Sequence, residues 1–435
     1  MGDRRGQVVT VPGWIDRARQ RLGKLLLNQL DRWSGPFPSF SPELQERASG
    51  LAPTGVAFVG CGFVAEFYAA NLSMHADLKL VGVADHDSAR AERLAQRHGC
   101  QPYPSLDVLL ADPNVEIVAN LTNPNSHFEI SRRALEAGKH VYTEKPLAMN
   151  LADAEQLVAL AEARGLALSA APCSILSPTA QALRCAIERG DVGTVRLAYA
   201  ELDDGAIHRM HPEEWASPAG TPWPWRDEYK VGCTIEHAAY HLTWLVVLFG
   251  SAETVTAQSR CLVPEKHPDL PAEECAADFS VACIRFESGL VARLTCSIVA
   301  PHDHSLQIIG DEGTLTIDEC WHFEAPLWLQ RATPLARRAE TYAWLGRYGL
   351  LSRFFGLMGG RSDLSPKLDF RGRVRRHQMD YALGLSELAA ALRGGRPSRL
   401  TAALALHVTE IALAIDQSGE DGAAVKLKTR YVPTA

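Results

Sequence analysis

Gly60-Cys61-Gly62-Phe63-Val64-Ala65 reads GxGxxA. An apolar run, Val56 to Val59, leads into it, and a stretch with helical spacing, Val64 to Ser73, leads out. Asp85 follows at the end of the next apolar run, 23 residues after Gly62 (85 − 62). A glycine triplet alone says little, but strand, glycine turn, helix and acidic strand end in this order describe a dinucleotide site. Gly60 permits the tight turn, Gly62 lets a pyrophosphate approach the backbone, and Ala65 lets helix and strand pack closely. Phe63 and Val64 open the helix, whose N-terminal N–H groups and positive dipole end suit phosphate. Asp85 can accept hydrogen bonds from the adenosine ribose and would repel a 2′-phosphate. His86-Asp87 follow with no arginine at once available, so NAD is expected rather than NADP.

Outward from this turn the pattern alternates. Apolar runs at Leu78–Ala84, Glu116–Leu121, His140–Thr143 and Leu166–Ala170 are separated by helical stretches at Ser88–His98, Ser126–Ala137 and Leu151–Arg164. Asn150, with Asp153 three residues on, would cap the last. Such alternation with near-continuous apolar strands means a parallel, doubly wound sheet. After about Ser177 the texture changes. Between Asp278 and Ile317, runs rich in Val, Ile, Thr and Phe are broken by Glu287-Ser288-Gly289 and Asp311-Glu312-Gly313, turn signals between antiparallel strands. The expected fold is therefore α/β: a Rossmann domain over 51–172, then an α/β domain over 173–435 with a large open, mainly antiparallel sheet. Such a sheet needs its other face covered, often by a second subunit, so a homodimer or homotetramer is expected.

A chain of 435 residues suits two domains plus an appendage. Residues 1–50 stand apart: from Trp14 to Trp33 apolar residues recur at near-helical spacing with Arg and Lys between, and Gly35-Pro36-Phe37-Pro38-Ser39 ends the run. It reads as a helical arm. A net charge of −7 argues against a nucleic-acid partner, which needs clustered positive charge. No run is long enough to span a membrane. Arg4-Arg5 is followed by no apolar segment, so export is not expected, and ten scattered cysteines without a CxxC pair suit the reducing cytoplasm.

Two further segments close strands of the first domain. Thr122-Asn123-Pro124-Asn125-Ser126-His127 follows the fourth and Thr143-Glu144-Lys145-Pro146-Leu147-Ala148 the fifth; loops at such strand ends line the ligand crevice of an open parallel sheet. Arg189-Gly190-Asp191-Val192-Gly193 precedes the second domain's first strand, and Ala405-Leu406-His407-Val408-Thr409-Glu410 lies near the end. With these motifs in this order, Gly55 to roughly Ile415 resembles the Gfo/Idh/MocA oxidoreductase family, whose hallmark is Glu-Lys-Pro at that place. The resemblance implies cofactor contacts from Thr122, Asn123, Pro124, His127, Glu144 and Lys145. It also implies that Lys145 holds the substrate hydroxyl and the nicotinamide ribose. A lysine before proline is kept out of the helical region, which aims its side chain.

Family members usually carry an Asp, then a His four residues later, on one helix of the second domain. Here the matching run is Gly232-Cys233-Thr234-Ile235-Glu236-His237-Ala238-Ala239-Tyr240-His241-Leu242. Aligned without gaps, Glu236 takes the Asp place and Tyr240 the His place, and residues four apart share a helix face. Tyr240 could exchange a proton with the substrate oxygen, its phenol made more acidic by Lys145. A one-residue gap would put His241 there instead, and His suits neutral pH. His237, next to Glu236, joins Lys145 and Tyr240 as a candidate for catalysis and substrate contact. Trp225 and Arg226, in the Thr221–Lys230 loop, are expected to meet the sugar with an aromatic face and a guanidinium fork.

No metal site is expected. His237 and His241 lack an obvious third ligand, and His302-Asp303-His304 has nothing else of ligand type nearby in sequence. The resemblance implies NAD-dependent hydride transfer at a ring carbon of a sugar, sugar derivative or cyclitol. A basic run at Arg371–Arg376 with Lys367 nearby keeps phosphorylated or nucleotide-linked sugars within the class. An NAD-retaining glycosidase working by transient oxidation and elimination, and a non-catalytic NAD-sensing regulator, are the alternatives.

Overall fold

The computed structural model describes residues 52–341, 359–366 and 379–432, so the arm at Trp14–Trp33 and the basic run at 367–376 lie outside the described residues. The first six strands are β1 (Thr54–Val59), β2 (Leu78–Ala84), β3 (Gln101–Pro102), β4 (Ile117–Asn120), β5 (His140–Thr143) and β6 (Leu168–Ala170). They form one parallel sheet in the order β3-β2-β1-β4-β5-β6. Every residue of β1 and β4 is buried, as helices on both faces require. The order reverses between β1 and β4, and a crevice opens there at the carboxyl ends of the strands. The Asn150 side chain accepts the Asp153 N–H at 2.9 Å, capping the helix Leu151–Arg164. Sequence periodicity gave no sign of β3, which has two residues, or of the six-residue helix Leu106–Ala111.

The second sheet has nine strands: β7 (Val195–Asp203), β8 (Ala252–Arg260), β9 (Phe279–Phe286), β10 (Val291–Ser297), β11 (Leu306–Gly310), β12 (Gly313–Ile317), β13 (Leu327–Arg331), β14 (Gly360–Arg361) and β15 (Val425–Lys426). Their order is β14-β13-β12-β11-β7-β10-β9-β8-β15. All pairings are antiparallel except β7 with β10. The turn at Glu287–Gly289 joins β9 to β10 as expected, with Gly289 at φ +84°. The antiparallel run expected between Asp278 and Ile317 is interrupted, however, because β7 inserts between β10 and β11. That insertion sets the ends of β7 and β10 side by side near the crevice.

Burial alternates along β9, with Ser280, Ala282, Ile284 and Phe286 inward. The helix Ala402–Asp421 packs over β8 and β9 and also touches the helix Leu151–Arg164 and β6. The helix Leu383–Gly394 packs on β2, β5 and β6. Along the chain the first sheet ends with β6 at Ala170 and the second begins with β7 at Val195, and the helix Ala402–Asp421 contacts both. Among the described residues no helix is long and apolar enough to cross a membrane.

Candidate active site

A cleft of about 1090 Å³ runs from the glycine turn to the helix pair Cys233–His237 and Ala239–Phe249. Its cofactor end fits a dinucleotide on three observations. A Cβ on Gly60, which sits at φ +96°, would strike the Leu121 backbone at 2.7 Å, so glycine is required there. A Cβ on Gly62 would meet nothing within 4 Å, so the backbone there is open to a ligand. Gly62 caps the helix Phe63–Leu72 with no side-chain bond, which leaves its first N–H groups for phosphate.

Asp85, at the end of β2, lines this end of the cleft. Its Oδ2 accepts the Cys61 N–H at 2.7 Å and its Oδ1 the Asp87 N–H at 2.8 Å. The carboxylate is thereby fixed; the exposed His86 Nδ1 also stands 3.1 Å from Oδ1, and Oδ2 keeps a further lone pair for a ribose hydroxyl. Sequence adjacency missed a neighbour: Arg90, one helical turn on, also lines the cleft, with Nε 3.4 Å from Asp87. Phe63, Val64, Thr122, Asn123 and Pro124 line the same end. His127 touches the cleft but is buried, and its two ring nitrogens lie 2.6 Å from the Pro146 carbonyl and 3.1 Å from the Thr122 carbonyl. It ties together the loops after β4 and β5.

At the other end Glu144, Lys145, Glu236, His237 and Tyr240 converge. Glu144 accepts the Tyr68 hydroxyl at 2.7 Å and the Lys145 backbone N–H at 3.2 Å. Lys145 Nζ donates to Glu236 Oε2 at 2.9 Å and stands 5.9 Å from the centre of the Tyr240 ring. Burial works against the Lys145 charge, but Glu236, Glu144 and Glu228 outweigh it and hold the ammonium above the usual lysine range. Tyr240 behaves opposite to the expectation of a phenol acidified by lysine. Burial, then the nearby Tyr381, Glu144, Asp204 and Glu228, push its hydroxyl well above the usual tyrosine range. Glu236 has already taken up the lysine charge. A phenol so held stays protonated and is a hydrogen-bond donor.

The competing alignment placed His241 at this point. His241 is fully buried and is absent from the cleft lining, and burial pushes its imidazole down to about 4. Its partner in the imagined metal pair, His237, faces the cleft, so the two do not come together there. The expected sugar contacts Trp225 and Arg226 are also turned away. Trp225 stacks on His267 with ring centres 3.8 Å apart, and Arg226 donates to the Asp269 carbonyl at 2.7 Å. Trp223 and Trp215, 5.1 Å apart, line the cleft in their place with Trp321 and Tyr381. The Trp-Pro-Trp run signalled aromatic content, but which tryptophan faces inward was decided by packing on His267.

The surroundings of His302-Asp303-His304 also differ from the expectation. Folding brings Asp204 and Glu319 to this loop, and Asp204, His302 and His304 each offer one ligand atom within 4.8 Å of the others. Asp204 lines the cleft beside His237.

Known proteins bear on this geometry. Residues 54–171 match the model described as "Oxidoreductase family, NAD-binding Rossmann fold", and residues 180–316 match the "GFO/IDH/MocA C-terminal domain". The chain is 27% identical over 270 residues to trans-1,2-dihydrobenzene-1,2-diol dehydrogenase of Bos taurus, covering 60% of this chain and 74% of that protein. Two solved structures share its fold. One is the WlbA dehydrogenase from Bordetella pertussis in complex with NADH and UDP-GlcNAcA, with TM-score 0.65, 20% identity, and 86% of this chain and 98% of that one covered. The other is aldose-aldose oxidoreductase from Caulobacter crescentus complexed with glycerol, with TM-score 0.66, 18% identity, and coverage of 86% and 100%.

Proposed function

Because the chain belongs to the Gfo/Idh/MocA family of NAD(P)-dependent oxidoreductases, we propose that it uses NAD to interconvert CH–OH and C=O at a ring carbon of a sugar, sugar derivative or cyclitol. The observation that carries this reading is the meeting of Lys145, Glu236 and Tyr240 where the dinucleotide groove ends. The bound nicotinamide supplies the hydride chemistry. The chain's own residues handle the oxygen: the Lys145 ammonium, aimed by Glu236, holds the substrate hydroxyl, and the protonated Tyr240 hydroxyl donates to the same oxygen. Trp215, Trp223 and Trp321 offer aromatic faces to the C–H faces of a ring. The names of the relatives, a dihydrodiol dehydrogenase and enzymes crystallised with a UDP-sugar or glycerol, fit a vicinal-diol or polyol ring as substrate. A panel of sugars, cyclitols and nucleotide sugars, followed at the NADH absorbance, tests the reading. Failure of every cyclic polyol in both directions would refute it.

Cofactor choice follows from Asp85. NAD is expected to bind about tenfold or more tighter than NADP, and Asp85→Ala to narrow that gap, because the carboxylate that repels a 2′-phosphate is gone while Arg90 stays on the cleft wall. Titration of both cofactors by fluorescence checks this, and equal wild-type affinities would contradict it. The nine-stranded sheet supports assembly into a homodimer or homotetramer. Light scattering should give a mass at least twice that of one chain at micromolar concentration.

A further inference from the structure

Oxidising an alcohol releases its hydroxyl proton, and Tyr240, held protonated, is a poor acceptor for it. Beside it stands a second ionisable ring whose surroundings come from four separate segments. We propose that His237 takes this proton, with Asp204 as its positioning residue and the hydrogen-bonded Glu319–His304 pair locking Asp204 in place. The proposal rests on the cleft being the site of CH–OH oxidation.

The lock is read from hydrogen-bond chemistry. His304 Nε2 lies 2.7 Å from Asp204 Oδ1, and His304 Nδ1 lies 3.0 Å from Glu319 Oε1. Ionised carboxylates only accept, so both ring nitrogens of His304 must carry protons. Burial opposes that charge, yet the two carboxylates win and hold the imidazole up at about 9. Glu319 is tied further by the Trp321 N–H at 2.9 Å and by the exposed His302, whose Nε2 is 3.0 Å away. Burial notwithstanding, the bond from His304 holds Glu319 down at about 2. Asp204 is likewise held below the usual carboxylate range, its burial overcome by His237 and His304. The result is a fixed carboxylate at the cleft wall.

The other oxygen of that carboxylate, Oδ2, is 3.2 Å from His237 Nδ1, within ion-pair reach but not aligned as a hydrogen bond. A carboxylate there favours the tautomer with the proton on Nδ1, leaving the Nε2 lone pair to accept. Four charged or titratable groups face the ring: Asp204 after β7, Lys145 after β5, Glu236 on its own helix, and His304 before β11. The Trp321 ring stands edge-on at 6.4 Å. Burial, Lys145 and His304 together outweigh the two carboxylates and keep the imidazole below its ordinary value, hence neutral at pH 7. In the step, the substrate O–H bond breaks and an Nε2–H bond forms while the carbon gives up its hydride to the nicotinamide. The new imidazolium charge is met by Asp204, and the proton then passes to water.

The test uses the NAD-loaded enzyme with a substrate from the panel. Wild-type kcat/KM for oxidation should fall on the acid side with an apparent pKa below 6.5 as His237 protonates. His237→Gly should lose about 10²-fold in kcat and that acid limb, and added imidazole should restore part of the rate. Asp204→Asn should lower kcat with little change in KM and move the limb to lower pH, because the imidazolium loses its anion. Independently of turnover, histidine nitrogen NMR should show His304 still doubly protonated at pH 8 in the wild type. A His237→Gly variant that keeps the acid limb, or gains nothing from imidazole, overturns the proposal. So does a His304 that titrates near 6.5, or a stoichiometric metal ion held through a His304 lone pair. A wild type that oxidises no alcohol refutes the reading of the cleft instead, and the NMR titration still decides whether the lock exists.

Discussion

Lys145→Ala is expected to leave dinucleotide binding nearly intact and to lower kcat by about 10²-fold or more, the size of a lost positioning and charge-stabilising group. The groove from Gly60 to Pro124 does not depend on this side chain, whereas Glu236 has Lys145 as its ammonium partner at 2.9 Å. Removing the ammonium leaves Glu144 and Glu236 facing the reacting oxygen with no positive charge between them. Tyr240→Phe keeps the ring against Trp321, 4.8 Å away, and deletes only the donor, so its loss should be of similar scale with the fold unchanged. The two groups serve one oxygen, so the double variant should be scarcely worse than the weaker single one. His241→Asn should be nearly silent in turnover because that ring lies off the cleft. Steady-state kinetics with a parallel NADH titration separates these outcomes. Full activity in Tyr240→Phe with loss in His241→Asn would reverse the assignment.

The largest stability effect is expected away from the chemistry, at Asp278. Its side chain is fully buried and pairs with the equally buried Lys266 at 3.2 Å. It also accepts the Leu262 N–H at 2.7 Å and the Val263 N–H at 3.0 Å, so one carboxylate organises the connection from β8 to β9. Asp278→Ala would strand a buried ammonium and two backbone donors, at a cost of about 3–5 kcal/mol. Adding Lys266→Met removes the stranded charge and should recover much of the loss. Urea unfolding of the single and double variants measures both terms. A single variant within about 1 kcal/mol of wild type would show that water reaches Lys266.

What could be read from the chain beforehand follows from how local each feature is. The turn at Gly60–Ala65, the capping by Asn150 and the placement of Asp85 depend on residues within one strand-helix-strand unit, and spacing exposes them. Glu236 and Tyr240 share a helix face for the same reason. The group formed by Asp204, His237, His304 and Glu319 draws on four segments that meet only because β7 inserts between β10 and β11, and no local pattern records that order. The orientation of Trp225 against Trp223 turned on contact with His267, forty-two residues away (267 − 225). The protonation of Tyr240 depends first on its burial and then on Tyr381, Glu144, Asp204 and Glu228, which chain neighbours do not reveal.

Direct hydride transfer at the cleft is the central claim, and label transfer tests it most directly. A cyclic polyol accepted by the enzyme, deuterated at the carbon to be oxidised, is turned over with NAD. The account predicts one deuterium per turnover at nicotinamide C4, a slowed rate relative to unlabelled substrate, and the same label transfer at a rate about 10²-fold lower in Lys145→Ala. Label washed into solvent, or a product formed by elimination with no NADH accumulating, would contradict it.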